Sequence, residues 1–117
     1  MNQVKSDMKN LIGVGNGRTY EDFQRQIPEH VKPLFEKLRT YCKSLDDKVI
    51  EDIRMHRVVF CKTMTFRWFA DLEPTEKSII IKIQKERKTE PEILEVTPKQ
   101  ELSKIKSTLK DAFTTIR

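Results

Sequence analysis

Between Val58 and Gln84 the chain reads as three successive strands, with no catalytic punctuation between them. The runs 58–62, 67–72 and 78–84 are β-branched and aromatic, and turn-forming pieces join them. In the third run Ile79, Ile81 and Ile83 oppose Ile80, Lys82 and Gln84, the alternation of a strand with one buried face. The same period in the second run places Trp68, Ala70 and Leu72 on one side, and Arg67, Phe69 and Asp71 on the other. Glu73-Pro74-Thr75-Glu76-Lys77 suits a hairpin turn with Pro74 outside the ladder. Weaker alternation over 49–55 and an extended piece over 93–96 predict a strand on either side of these three.

A helical pattern precedes this block and another follows it. From Pro28 to Leu45, Val31, Leu34, Phe35, Leu38, Tyr41, Cys42 and Leu45 recur at three- and four-residue spacing. Pro33 is tolerated only in a first turn and moves the start of that helix towards itself. In the second pattern Thr97 is the expected cap, Pro98 the first helical residue and Gln100 the completion of a capping box. Its stripe is Leu102, Ile105, Leu109, Ala112, Phe113 and Ile116. Two helices with one apolar face each must bury those faces on the sheet. The expectation is an α+β two-layer sandwich, an antiparallel sheet of four or five strands with N- and C-terminal helices packed on one face.

The first 27 residues read as an arm. Val4, Met8, Leu11 and Ile12 form a short helical stripe, Gly13, Gly15 and Gly17 form a hinge, and Thr19 caps one helical turn. Residues 28–117 then form a single domain. A chain of 117 residues with 37% hydrophobic content supports one modest core. Cys42 and Cys61 show no metal-ligand spacing and read as free thiols of a reducing compartment. No apolar run approaches the ~20 residues of a membrane span, so a cytoplasmic location is expected, without membrane association.

Residues 68–83, Trp-Phe-Ala-Asp-Leu-Glu-Pro-Thr-Glu-Lys-Ser-Ile-Ile-Ile-Lys-Ile, resemble the core motif of a small prokaryotic domain family of unknown function. Some members of that family carry the label "predicted transport protein". The order of elements over about residues 28–117 is similar: a helix like 31–45, a strand like 58–62, the aromatic-Ala-Asp strand with its hairpin, and a closing helix. The resemblance implies this fold and no established activity. Related domains occur beside nuclease-like modules, which implies an accessory role around nucleic acid. The chain departs from the family pattern at 52–57, which is more basic.

Chemistry-bearing patterns are few. Asp46-Asp47-Lys48 imitates part of a nuclease metal site but falls at a helix end, where a terminating turn is the simpler reading. The glycines at 13, 15 and 17 lack the preceding strand of a phosphate-binding loop. His30 and His56 have no nucleophile and orienting partner in pattern. No cofactor or metal is implied, and a non-enzymatic binding module is the expectation. Its surface would be the second sheet face: Arg54, His56, Arg57, Lys62, Arg67, Phe69, Ile80 and Lys82. Self-association, another protein or small ligand, or cover by the arm would bury it. The alternative is a nucleic-acid accessory domain, in which Arg54, Arg57, Lys62, Arg67 and Lys82 meet phosphates while Phe69 stacks on bases.

Overall fold

A computed structural model describes residues 17–62, 67–86 and 88–116. The elements run α1 (Tyr20–Gln24), α2 (Lys32–Ser44), β1 (Ile50–Ile53), β2 (Val58–Cys61), β3 (Trp68–Pro74), β4 (Ile79–Ile83), β5 (Glu92–Val96) and α3 (Ser103–Thr115). The five strands form an antiparallel meander in the order β1-β2-β3-β4-β5. Both long helices lie against it, giving the α+β architecture the periodicities predict. The stripe of residues 4–12 and Gly13 and Gly15 lie outside the described residues.

Local chemistry explains most boundaries. The Thr19 hydroxyl accepts from the Asp22 N–H at 3.2 Å and starts α1. The Pro28 carbonyl accepts from the N–H groups of Val31 and Lys32, and α2 begins there with Pro33 in its first turn. Asp46 closes the far end, its carboxylate accepting from the Lys48 N–H at 2.8 Å, so the Asp-Asp-Lys pattern is a turn. At α3 the structure corrects the expected start. The Gln100 side chain does accept from the Thr97 N–H at 2.8 Å, but the Gln100 N–H bonds the Thr97 carbonyl, which closes a separate turn. The helix proper starts three residues later, at Ser103, behind Leu102. Pro74 is likewise the last residue of β3, in register with Ile79, and not outside the ladder.

One hydrophobic cluster lies between sheet and helices. Val58 and Phe60 from β2, Ala70 and Leu72 from β3, Ile79, Ile81 and Ile83 from β4, and Val96 from β5 meet Leu34, Phe35, Leu38 and Cys42 of α2. Ile105, Leu109 and Ala112 of α3 join them, and Tyr20, Phe23 and Ile27 extend the cluster past α2. The isoleucines at 79, 81 and 83 face the helices as their alternation requires.

The strand β3 breaks its own alternation. Phe60 pairs with Ala70, yet the next residue, Cys61, pairs with Trp68, leaving Phe69 without a partner on β2. This is a β-bulge: one extra residue on β3 bends the strand and re-aims its side chains. Phe69 and Ala70 therefore both enter the core, and Phe69 meets Phe113 of α3 edge-on at 5.2 Å between ring centroids. Trp68, opposite Cys61, is thrown to the other face and takes no part in the cluster. The expected exposure of Phe69 and burial of Trp68 beneath the helices are both overturned.

Candidate functional site

The register assigns the side chains of the sheet face that points away from the helices. One cross-strand row reads Asp52, Val59, Asp71, Lys82 and Ile93. Beside it Ile50, Cys61 and Trp68 form a shorter row, and Glu73, Ile80 and Glu95 a third. Val59 is buried yet lies outside the main cluster, so its cover comes from neighbours on this second face. Ile93 is 60% exposed, one of two large apolar side chains so placed among the described residues; the other is Met55 in the β1–β2 turn. The face is thus a shallow apolar band, formed by Ile50, Val59, Cys61, Trp68, Ile80 and Ile93, interrupted by charge.

Its charges are organised in pairs. The Arg54 Nε donates to the Asp52 carboxylate at 2.7 Å. Arg57 Nε stands 3.2 Å from the Asp71 carboxylate without the alignment of a hydrogen bond, so that contact is Coulombic. Arg54 and Arg57 face each other across a two-residue turn, closed by the Arg54 N–H on the Arg57 carbonyl at 2.8 Å. Ser78 donates to Glu95 at 2.7 Å at the opposite side of the sheet. Three cations (Arg54, Arg57, Lys82) therefore sit among four carboxylates (Asp52, Asp71, Glu73, Glu95), and this face carries no positive surplus.

Asp71 is the most constrained group on it. It occupies the middle of the central strand, 7% exposed, and no described side chain donates it a hydrogen bond. Burial raises its pKa above the usual carboxylate value, and the nearby charges of Arg57 and Lys82 only partly oppose this. An acid with a raised folded pKa binds protons more tightly folded than unfolded. Its ionised form costs stability at neutral pH, and stability is regained as pH falls through the folded pKa towards the unfolded one. Asp71→Asn is accordingly expected to melt higher than the parent at pH 7, with the gap closing near pH 4. Melting temperatures across that range check it; a lower melting point for the variant at pH 7 would show that the ion pair outweighs desolvation.

The eight residues expected here are dispersed. Arg54, Arg57, Ile80 and Lys82 share the face, and His56 is exposed at the tip of the adjoining turn. Lys62 points to the helical side, where its ammonium donates to the Ile116 carbonyl at 3.0 Å and lies 5.0 Å from the Phe113 ring centroid. It closes the C-terminal end of α3 and does not belong to the open face. Arg67 is half-buried before β3, its Nε buried without a hydrogen-bond partner. Phe69 is in the core. The residues missed include Asp52, Val59, Trp68 and Ile93. Only the bulge hides Trp68; the strand pairing that aligns Asp52, Val59 and Ile93 with Asp71 carries no local signal.

The Cys61 thiol is pushed up to about 11 by burial, and Cys42 is raised further still, so neither offers a nucleophile near neutral pH. Among the described residues no group of three or more His, Cys, Asp or Glu side chains is placed to hold a metal ion. None of the described helices is long and apolar enough to cross a membrane. The fold and this face together define an α+β domain with an open five-stranded antiparallel sheet. No family model, curated protein or solved structure matches the chain.

Proposed function

We propose that this domain is a non-enzymatic interaction module of the cytoplasm that self-associates through the open sheet face, and that it belongs with the small prokaryotic family its β3–β4 motif resembles. The observation that carries the reading is Trp68 displaced by a bulge out of the core and into an apolar band that no described element covers. Bulges persist where they re-aim a side chain to a purpose. The charges support a twofold partner. The cation Arg54 directly follows β1 at one edge of the sheet, and the carboxylate Glu95 is on β5 at the other. A twofold axis parallel to the strands stacks β1 of one protomer over β5 of its partner, which sets Arg54 against Glu95, and lays β3 over its own copy. Glu92 and Glu95 on the β5 edge oppose strand addition there, which favours face-to-face contact over edge pairing.

The contact is small. Strands ~4.8 Å apart with ~3.3 Å per residue give a flat footprint of about 400 Å² per protomer, half the ~800 Å² of a standard interface. Association is therefore expected to be weak, with a dissociation constant on the order of 10–100 μM. Sedimentation velocity from ~5 μM to ~1 mM protein is expected to show a monomer–dimer shift, and Ile80→Ser/Ile93→Ser to remove it. A parent chain that stays monomeric across the range would end this reading.

A further inference from the structure

At the centre of the open face, Asp71 occupies the place where a second copy returns the same side chain. Rotation about a twofold axis parallel to the strands leaves height along each strand unchanged. A β3 laid over its own copy therefore sets Trp68, Asp71 and Glu73 each against the same residue. The flanking strands bring no new cation to this axis. In the row Asp52, Val59, Asp71, Lys82 and Ile93, exchange of β1 with β5 and of β2 with β4 puts Val59 opposite Lys82 and Asp52 opposite Ile93. Two carboxylates meet at the middle of the contact, each only 7% exposed before it forms.

The charged groups around Asp71 come from the neighbouring strands. Arg57, just before β2, stands 3.2 Å away, and Lys82 of β4 is the cross-strand partner. Glu73 lies two residues along β3, and Arg54 beyond β1 is held by Asp52 at 2.7 Å. The helices pack on the other face. Burial already raises the Asp71 pKa in the single chain; Arg57, Lys82 and Arg54 oppose the rise and Glu73 adds to it. The cations of a second copy arrive already flanking its own Asp71. Two carboxylates pressed together in a dry contact cannot both stay ionised. Glu73 is at the partly exposed end of β3 beside Pro74, where water and salt screen it. Building on self-association through the open face, we propose that the contact is proton-linked: Asp71 and its copy share one proton, taken up from solvent as the dimer forms and returned when it parts. The pair is a switch that closes the face at mildly acid pH and opens it at alkaline pH.

The test is sedimentation velocity at pH 5, 6, 7 and 8. Uptake of one proton weakens association by up to about tenfold for each pH unit above the folded pKa of Asp71 in the single chain, and the slope vanishes where the single chain is itself protonated. The dissociation constant is expected to be roughly tenfold or more higher at pH 8 than at pH 5. Asp71→Asn keeps the shape and removes the charge; it is expected to associate at pH 8 as tightly as the parent does at pH 5, without a slope. Glu73→Gln and His56→Gln are expected to keep the parent's slope, since Glu73 is screened and His56 is exposed at the turn tip. Calorimetric dilution of the parent at pH 6, in two buffers of different ionisation enthalpy, counts the proton without any variant; release of about one per dimer is expected. A dimer equally tight at pH 5 and pH 8 overturns the shared proton and leaves self-association standing. So does a slope that Asp71→Asn retains, or one that Glu73→Gln or His56→Gln removes. Parent and Asp71→Asn both monomeric at every pH overturn the self-association itself.

Discussion

Phe69→Ala is expected to cost about 3–5 kcal/mol of stability, the range for removing a fully enclosed aromatic from a core. The ring is 0% exposed and packs edge-on against Phe113, so its loss empties the junction between β3 and α3. Its neighbour behaves oppositely. Trp68→Ala removes a half-buried side chain outside the main cluster and is expected to cost less than half as much, while weakening self-association. Urea denaturation of the two variants separates them: a much lower midpoint for Phe69→Ala, a small shift for Trp68→Ala. Reversed midpoints would mean that the strand has no bulge.

The second large effect is expected at Glu51, on the helix-facing side of β1. Its carboxylate receives two hydrogen bonds from the Arg39 guanidinium, one of them at 3.0 Å, with Lys43 at 3.7 Å. Arg39 in turn covers the Tyr20 ring, 3.7 Å from guanidinium carbon to centroid. One ion pair thus ties α1, α2 and the edge strand together. The two side chains are 22% and 14% exposed, shielded enough that a lone charge is not fully rescued by water. Glu51→Gln is expected to cost about 2–4 kcal/mol, because it leaves Arg39 without its counter-charge. The double change Arg39→Met/Glu51→Leu is expected to recover most of that loss, since apolar replacement removes the desolvation penalty of both ions. If the double variant is as unstable as the single one, the pair is worth more than its cost of burial.

The helices and strands were legible because each rests on a repeated local pattern. Ile79, Ile81 and Ile83 alternate without interruption, and the structure buries all three. Thr19 and Asp46 act through hydrogen bonds to residues two or three positions away, and short-range chemistry of this kind is written in the sequence. Trp68 and Phe69 were not legible. Alternation assumes one residue against one, and a single unpaired residue exchanges the faces of everything on its far side. Nothing in Arg67-Trp68-Phe69-Ala70 marks the slip; Phe113, 44 positions away from Phe69 in sequence, is what receives the ring. Lys62 was misplaced for a related reason. Its alternation does put it on the face of Phe60, but only the fold brings the end of α3 over it.

The charge distribution was equally hidden. A formal +5 gives no location, and the basic residues around 54–57 drew attention to the sheet. Pairing with Asp52 and Asp71 cancels Arg54 and Arg57. Which cations remain available is a property of tertiary contacts.

Because Trp68 is the chain's single tryptophan, its fluorescence reads the disputed face without any label. Acrylamide quenching of the intact protein, repeated from ~5 μM to ~1 mM, is the most direct measurement. A strong quenching response at low concentration that declines as protein concentration rises is the result expected for an indole outside the core and covered by a second copy. Weak quenching and a blue-shifted emission at every concentration would place Trp68 inside the monomer's own interior and contradict the account.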